Sequence, residues 1–170
     1  DFGADDSALV TPLRIKNWII CELEASLVLY FTGVSRESAR IVQDQRDNLK
    51  SESSDALEAM HGLKSEASIM KDSLLRGNFD ALTDCLRAGW ENKKKSARTV
   101  TNQNIDDVYE AALAAGASAG KVSGAGGGGF MLFFVPPESR LEVIRTLKKF
   151  GGQVSNCHFE AKGAQAWKIL

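Results

Sequence analysis

The stretch KVSGAGGGGFMLFFV, residues 121–135, decides how the fold of this chain is interpreted. Five of its residues are glycine, and the four at 126–129 are consecutive. Glycine loses more backbone freedom on folding than any other residue, so such a run destabilises a helix or strand that contains it. The apolar and aromatic residues at 130–135 are typical of a buried strand. The stretch therefore predicts two strands, KVSG and FMLFFV, joined by a glycine loop.

The glycine loop has two interpretations. It could be a plain connection between strands, but a hairpin turn needs only one or two residues with positive φ. It could also be an anion site, because residues without Cβ atoms let backbone N–H groups point at one ligand, most often a phosphate. The run is neither a Walker A loop nor a dinucleotide fingerprint, since no Gly-Lys-Ser/Thr follows and a strand rather than a helix comes next. The residues favour phosphate or substrate contact and leave both interpretations open.

Periodicity and breaker residues outline the rest of the chain. In chain order they predict a strand at 7–13, a helix at 17–25, a strand at 26–33, helices starting at 35, 55 and 78, a helix around 105–113, a helix at 136–150, and strands at 153–159 and 164–170. This order predicts an α+β domain with a small, mostly antiparallel sheet and helices packed on one face.

Composition excludes some classes of function. The chain has 170 residues and a net charge of -1, so no field of the whole molecule favours nucleic acid or a membrane surface. One basic cluster is present, Lys93, Lys94, Lys95 and Arg98. We predict that it lies on a solvated helix end, where cations complement the helix dipole. Phosphate binding by this cluster is the less favoured alternative.

The cysteines and the chain start indicate a cytoplasmic protein that is part of a longer chain. Cys21, Cys85 and Cys157 are far apart and odd in number, which predicts reduced, mostly buried thiols and no metal site. No apolar run approaches the length of a membrane span. The first methionine is Met60, and we therefore expect a domain cut from a longer protein.

The stretch 121–135 resembles the third motif of the GHMP kinases (galacto-, homoserine, mevalonate and phosphomevalonate kinases). The segments VTPLRI, ELEASLVLYFTGVSRESARIV and AGWENKK resemble the bacterial sugar-kinase branch that phosphorylates a heptose 7-phosphate. The resemblance runs from about Val10 to Trp167. It implies that residues 14–170 form a GHMP kinase C-terminal domain and that residues 1–13 are a strand of the preceding N-terminal kinase domain.

The resemblance also implies an activity: transfer of the γ-phosphoryl group of ATP, with Mg²⁺, to a small molecule in a cleft between two domains. In the family, the glycine-rich motif faces that cleft. By position, the nucleotide contacts implied are Ser123, Gly124, Ala125, Gly126, Gly127, Gly128 and Gly129.

A second implied contact is TGVSRES, residues 32–38. It is similar to a stretch of mevalonate kinase in which an arginine and, two residues later, a hydroxyl approach the reacting groups. Arg36 and Ser38 are thereby expected to support phosphoryl transfer, since an arginine can hold a phosphate through two parallel N–H bonds. The substrate contacts implied are Thr32, Gly33, Ser35 and Lys121. The alternative treats Ser35 and Ser38 as helix-start residues and Arg36 as surface charge.

The family's phosphate loop, P-x-x-x-G-L-G-S-S, and its catalytic aspartate do not occur in the chain. No residue of this chain is therefore assigned as general base or metal ligand, and we expect the isolated chain to be inactive. Two alternatives are kept: a kinase for another sugar such as fucose or for a mevalonate-type substrate, and a non-catalytic small-molecule binding module.

Overall fold

The computed structural model of the chain describes residues 3, 5, 7–33, 38–50, 54–160 and 162–167. These residues contain six α-helices and four β-strands. The helices are α1 (Asn17–Ser26), α2 (Ser38–Lys50), α3 (Ser54–Arg76), α4 (Phe79–Ser96), α5 (Gln103–Ala114) and α6 (Arg140–Lys148). The strands are β1 (Leu27–Phe31), β2 (Ala119–Val122), β3 (Phe130–Phe134) and β4 (Gln153–Asn156).

The four strands form one antiparallel sheet in the order β2-β3-β1-β4. In the central pair, Leu27 lies opposite Phe134 and Phe31 lies opposite Phe130. The glycine run joins β2 to β3, so it lies at the end of the sheet where β1 also ends. A strand lies on each side of the run, as predicted, but the first is at Ala119–Val122 and not at residues 121–124.

Helices cover both faces of the sheet, and the prediction of helices on one face is wrong. Val28 and Phe133 are buried on one face in a cluster that includes Val108 of α5 and Val143 of α6. Leu27, Phe134 and Ala119 are buried on the other face with Ile19 of α1 and Leu82 of α4. The segments LVLYF and FMLFF are continuously apolar, as expected of strands that bury both faces.

The two predicted strands at the ends of the chain do not form in the described residues. Residues 7–13 contain one isolated bridge, at Ala8, and residues 164–167 have no regular structure. The side chains of Val10 and Trp167 are 86% and 81% exposed. A strand is stable only when it is paired and packed, and this part of the chain buries neither segment. Residues 168–170 lie outside the described residues.

Arg140, the first residue of α6, ties that helix to two strands. Its guanidinium donates hydrogen bonds to the carbonyls of Ala25 and Leu27, at 2.6 and 3.1 Å, and to Oδ1 of Asn156 at 3.0 Å. The side chain is half-buried. It therefore ties the start of α6 to the end of α1, the start of β1 and the end of β4.

We expect Arg140→Met to lower the free energy of unfolding by about 2 kcal/mol, because charge-assisted bonds to two carbonyls are lost. Arg145→Met is the matched control on the same helix. Arg145 lies 3.7 Å from Glu142 and its side chain is 71% exposed, so its loss should cost less than about 0.5 kcal/mol. Urea denaturation of both variants measures the difference, and equal costs would contradict the role given to Arg140.

Candidate functional site

Every glycine of the run adopts a backbone conformation that side chains disfavour. The φ angles are 71° at Gly124, 118° at Gly126, 74° at Gly127, 158° at Gly128 and 83° at Gly129. A Cβ atom built on Gly126 would lie 2.6 Å from the carbonyl oxygen of Val100. The shape of the loop therefore requires glycine at more positions than a hairpin turn does.

Two neighbouring segments anchor the run. The N–H of Gly127 donates to the carbonyl of Val100 at 2.7 Å, and Nδ2 of Asn102 donates to the carbonyl of Gly127 at 3.1 Å. On the other side, the N–H of Gly129 donates to Oγ1 of Thr32 at 3.1 Å, and the N–H of Thr32 donates to the carbonyl of Gly129 at 3.0 Å. The run is thus held between the residues before α5 and the end of β1.

Asn102 serves both the loop and the helix that follows it. Its Oδ1 accepts a hydrogen bond from the N–H of Ile105 at 3.2 Å, so it is the N-cap of α5. Because capping uses the side-chain oxygen, the amide nitrogen is available to Gly127. Asn102 therefore has two roles: it caps the N-terminus of α5, and it holds the glycine run in place.

Lys93 is a third anchor, and the prediction that it lies on a solvated helix end is wrong. The residue is 9% exposed. Its ammonium donates to the carbonyl of Val122 at 3.2 Å and also to the carbonyl of Gly124. Of the other members of the basic cluster, Lys95 and Arg98 are exposed, and Lys94 lies 5.8 Å from the centre of the Trp90 ring.

The sequence does contain a feature that predicts the burial of Lys93. Leu82, Leu86 and Trp90 form the apolar face of α4. Lys93 follows Trp90 by three residues and so continues the same face, which packs against β2. The charge of Lys93 and its neighbours Lys94 and Lys95 predict an exposed position, whereas the helical spacing predicts the burial that the structure has.

Burial and the nearby ammonium of Lys121 lower the pKa of Lys93 to about 8, burial being the larger cause. Both effects disfavour the charged form. The carbonyls of Val122 and Gly124 are neutral acceptors, so they offset only part of this cost. Lys93 is therefore a charged residue at neutral pH that can lose its proton within the range in which enzymes are assayed.

Four backbone N–H groups of the run donate no hydrogen bond within the described residues. They belong to Gly124, Ala125, Gly126 and Gly128, all of which are exposed or half-buried. Successive N–H groups that are free of partners can form a concave donor set for an anion. The half-buried Lys121 adds a positive charge close by.

The other predicted site residues differ in how the structure places them. Thr32 lies against the run through its two hydrogen bonds with Gly129. Gly33 follows it at φ 78° and is exposed, and Ser123, also exposed, donates its N–H to the carbonyl of Phe130 at 2.8 Å. Residues 35 and 36 (Ser35 and Arg36) lie outside the described residues, and for Ser38 only its place as the first residue of α2 is described.

Two other features are absent from the described residues. These residues contain no group of three or more His, Cys, Asp or Glu side chains placed to hold a metal ion. No helix among them is long and apolar enough to cross a membrane. The three cysteines are unpaired, with Cys85 buried, Cys157 half-buried and Cys21 exposed, so the prediction of mostly buried thiols fails at Cys21.

The site and fold agree with a known class of protein. Residues 70–153 match the family described as GHMP kinases C terminal, and this range includes Lys93, Asn102 and the whole glycine run. The chain therefore carries a GHMP kinase C-terminal domain, and the resemblance drawn from its motifs is confirmed.

Individual relatives are sugar kinases. The chain is 42% identical, over 169 residues, to D-glycero-alpha-D-manno-heptose 7-phosphate kinase of Campylobacter jejuni, a match that covers 99% of this chain and 49% of that relative. A crystal structure of a D-glycero-D-manno-heptose 1-phosphate kinase from Bacteroides thetaiotaomicron is 37% identical with a TM-score of 0.68, covering 98% of this chain and 43% of that one. The chain thus spans about half the length of these relatives.

A more distant structure supports the fold alone. L. major mevalonate kinase, solved in complex with R-mevalonate, is 18% identical and superposes with a TM-score of 0.69. The superposition covers 76% of this chain and 40% of that one. The helix-rich domain with a small antiparallel sheet, predicted from the sequence, is confirmed.

Proposed function

We propose that the chain is the C-terminal part of an ATP-dependent sugar kinase. The whole protein would transfer the γ-phosphoryl group of ATP to the anomeric hydroxyl of heptose 7-phosphate. The observation that carries the proposal is the set of free N–H groups on Gly124, Ala125, Gly126 and Gly128. The 42% identity to a heptose 7-phosphate kinase supports the choice of acceptor.

The chemistry of phosphoryl transfer suits such a loop. The protein does little covalent chemistry in this reaction, and catalysis comes from positioning and from stabilising the charge on the phosphoryl oxygens. Backbone N–H groups that are already oriented stabilise this charge without reorganising during the reaction. Residues 123–129 would contact the nucleotide, and Lys121, Thr32, Gly33 and Ser35 would face the sugar phosphate.

The rest of the site would come from an N-terminal kinase domain. That domain would supply the phosphate loop and the catalytic aspartate, and the complete site would hold Mg²⁺. Residues 1–13 would add a strand to its sheet, whereas residues 14–170 form the C-terminal domain; the exposed apolar side chains of Leu9 and Val10 support this division. Arg36 and Ser38 would assist phosphoryl transfer from the start of α2, in a cytoplasmic enzyme.

Comparing acceptors with the full-length protein tests the proposal. With ATP and Mg²⁺ present, ADP release should depend on heptose 7-phosphate, and kcat/KM should exceed that for fucose or mevalonate by at least about 100-fold, because a site built to bind a phosphate rejects acceptors that lack one. A preference for fucose or mevalonate would overturn the assignment of the acceptor. Binding of heptose 7-phosphate without any ADP release would favour a binding module. The 170-residue chain assayed alone should release no ADP.

A further inference from the structure

We infer that Lys93 is a positioning residue for phosphate binding: by holding the carbonyl of Gly124, it turns the N–H of Ala125 toward the anion site. The inference rests on the proposed function, because it assumes that the glycine run binds a phosphate. Lys93 itself lies on α4 and contacts the loop through the carbonyls of Val122 and Gly124, so this role requires no direct contact with the phosphate.

The geometry of the peptide bond carries the argument. In a trans peptide, the C=O of one residue and the N–H of the next lie in one plane and point in opposite directions. The Val122–Ser123 peptide obeys this rule, since its carbonyl accepts from Lys93 on one side while its N–H donates to Phe130 on the other. In the Gly124–Ala125 peptide, the carbonyl is likewise held by Lys93. The N–H of Ala125 therefore points away from α4, and it has no partner among the described residues.

Stability alone does not explain a charged residue at this position. Burying an ammonium that meets only neutral carbonyls is costly, and the repulsion of Lys121 adds to the cost. A methionine of similar length could continue the apolar face formed by Leu86 and Trp90. Unlike a methionine side chain, the ammonium of Lys93 binds two carbonyls through charge-assisted hydrogen bonds. It also places a positive charge behind the N–H groups that would face the phosphate.

Charged groups lie on α4 itself, on β2 and on α3, which packs along α4 and whose Glu66 accepts a hydrogen bond from Asn92. On β2, Lys121 lowers its pKa. On α4, Lys94 pairs with Glu91 at 2.7 Å, while Lys95 is exposed. In the part of the chain that the structure describes, no carboxylate contributes to the pKa of Lys93, which is about 8. Its hydrogen bonds to the loop should therefore weaken as the pH rises through 8.

The test compares Lys93→Met with Lys95→Met in the full-length protein. Isothermal titration measures the dissociation constants of ATP and of heptose 7-phosphate separately at pH 7, and thermal unfolding checks the fold. Because residues 123–129 are assigned to the nucleotide, Lys93→Met should raise the Kd of ATP by about tenfold, which corresponds to the loss of one well-made interaction. A rise in the Kd of heptose 7-phosphate instead would mean that the glycine run binds the sugar phosphate and not the nucleotide. Lys95→Met should leave both constants unchanged.

A pH series separates positioning from a merely structural role. Between pH 7 and 9 the wild-type Kd for ATP should rise, because Lys93 loses its proton near pH 8. The Lys93→Met variant should lack this rise. Lys93→Arg should lack it too while keeping tight binding, since arginine stays charged throughout this range. The arginine variant serves as the test if the methionine variant does not fold.

Three results would overturn the inference: unchanged Kd values for both ligands in Lys93→Met, equal changes in Lys93→Met and Lys95→Met, or the same pH dependence in wild type and Lys93→Arg. These measurements need no turnover. A wild-type protein that binds ATP but does not phosphorylate heptose 7-phosphate would refute the proposed reaction and leave the comparison of Kd values intact.

Discussion

Gly126→Ala in the full-length protein should lower kcat/KM for ATP by about 100-fold, the loss that a displacement of about 1 Å at a site of this kind can cause. Gly126 has a φ of 118°, and an added Cβ would lie 2.6 Å from the carbonyl oxygen of Val100 and 3.0 Å from its Cα. Backbone atoms cannot move aside as a side-chain end can. The loop must shift instead, and the bond from the N–H of Gly127 to the Val100 carbonyl, 2.7 Å long, is lost.

Gly151→Ala is the control for backbone strain. Gly151 has a φ of 76°, and an added Cβ would meet no atom within 4 Å. Both substitutions place a side chain at positive φ, which costs about 1–3 kcal/mol, but only Gly126→Ala moves the glycine run. Steady-state kinetics and thermal unfolding should therefore give two destabilised proteins, of which one loses activity. Equal kinetic losses in the two variants would mean that strain, rather than the position of the loop, controls activity.

Trp90→Ala should destabilise the protein by about 3–5 kcal/mol, the usual cost of removing a large buried aromatic side chain. Trp90 is fully buried, and its ring centre lies 6.0 Å from that of Tyr109 on α5. It belongs to the same buried cluster as Val100 and Val122, which flank the glycine run. The cavity would therefore loosen the packing between α4, α5 and β2.

Comparing Trp90→Phe with Trp90→Ala separates the effect of ring volume on stability from the effect of the indole N–H. The indole Nε1 of Trp90 is buried and has no hydrogen-bond partner among the described residues. Phenylalanine therefore loses no hydrogen bond, and removing an unsatisfied donor offsets part of the lost packing. Chemical denaturation should rank the variants as wild type, Trp90→Phe and Trp90→Ala, with most of the loss in the last step. A cost below about 1 kcal/mol for Trp90→Ala would contradict the packing role.

Much of the fold could be predicted from residues that lie close together in the sequence. The continuous apolar run of β3 and the glycines before it identify a strand and a loop without reference to the rest of the chain. The helix predicted from Asn78 begins at Phe79, with Asn78 as its N-cap accepting from the N–H of Ala81 at 3.1 Å. These features depend on residues within one turn of each other, so the sequence contains the whole signal.

Two features could not be predicted from local sequence: that the segments at the chain ends form no strand, and which helices pack on each face of the sheet. Residues 7–13 and 164–170 have alternating or β-branched residues, yet the described parts of both form no strand. A strand depends on a partner, and nothing local to these residues specifies one. The continuous apolar runs of β1 and β3 do indicate two buried faces, but which helices cover each face is decided only by the tertiary packing.

By itself, the sequence determined that a loop with several residues at positive φ joins two strands and that this loop could expose backbone N–H groups to an anion. Only the tertiary structure decided which N–H groups remain free, because that depends on the carbonyls held by Lys93 and Asn102. Lys93 lies 29 and 31 positions from the carbonyls that it binds, and Asn102 lies 25 positions from Gly127. Such contacts form when α4, α5 and the sheet pack together, and packing over that distance is not encoded in the spacing of neighbouring residues.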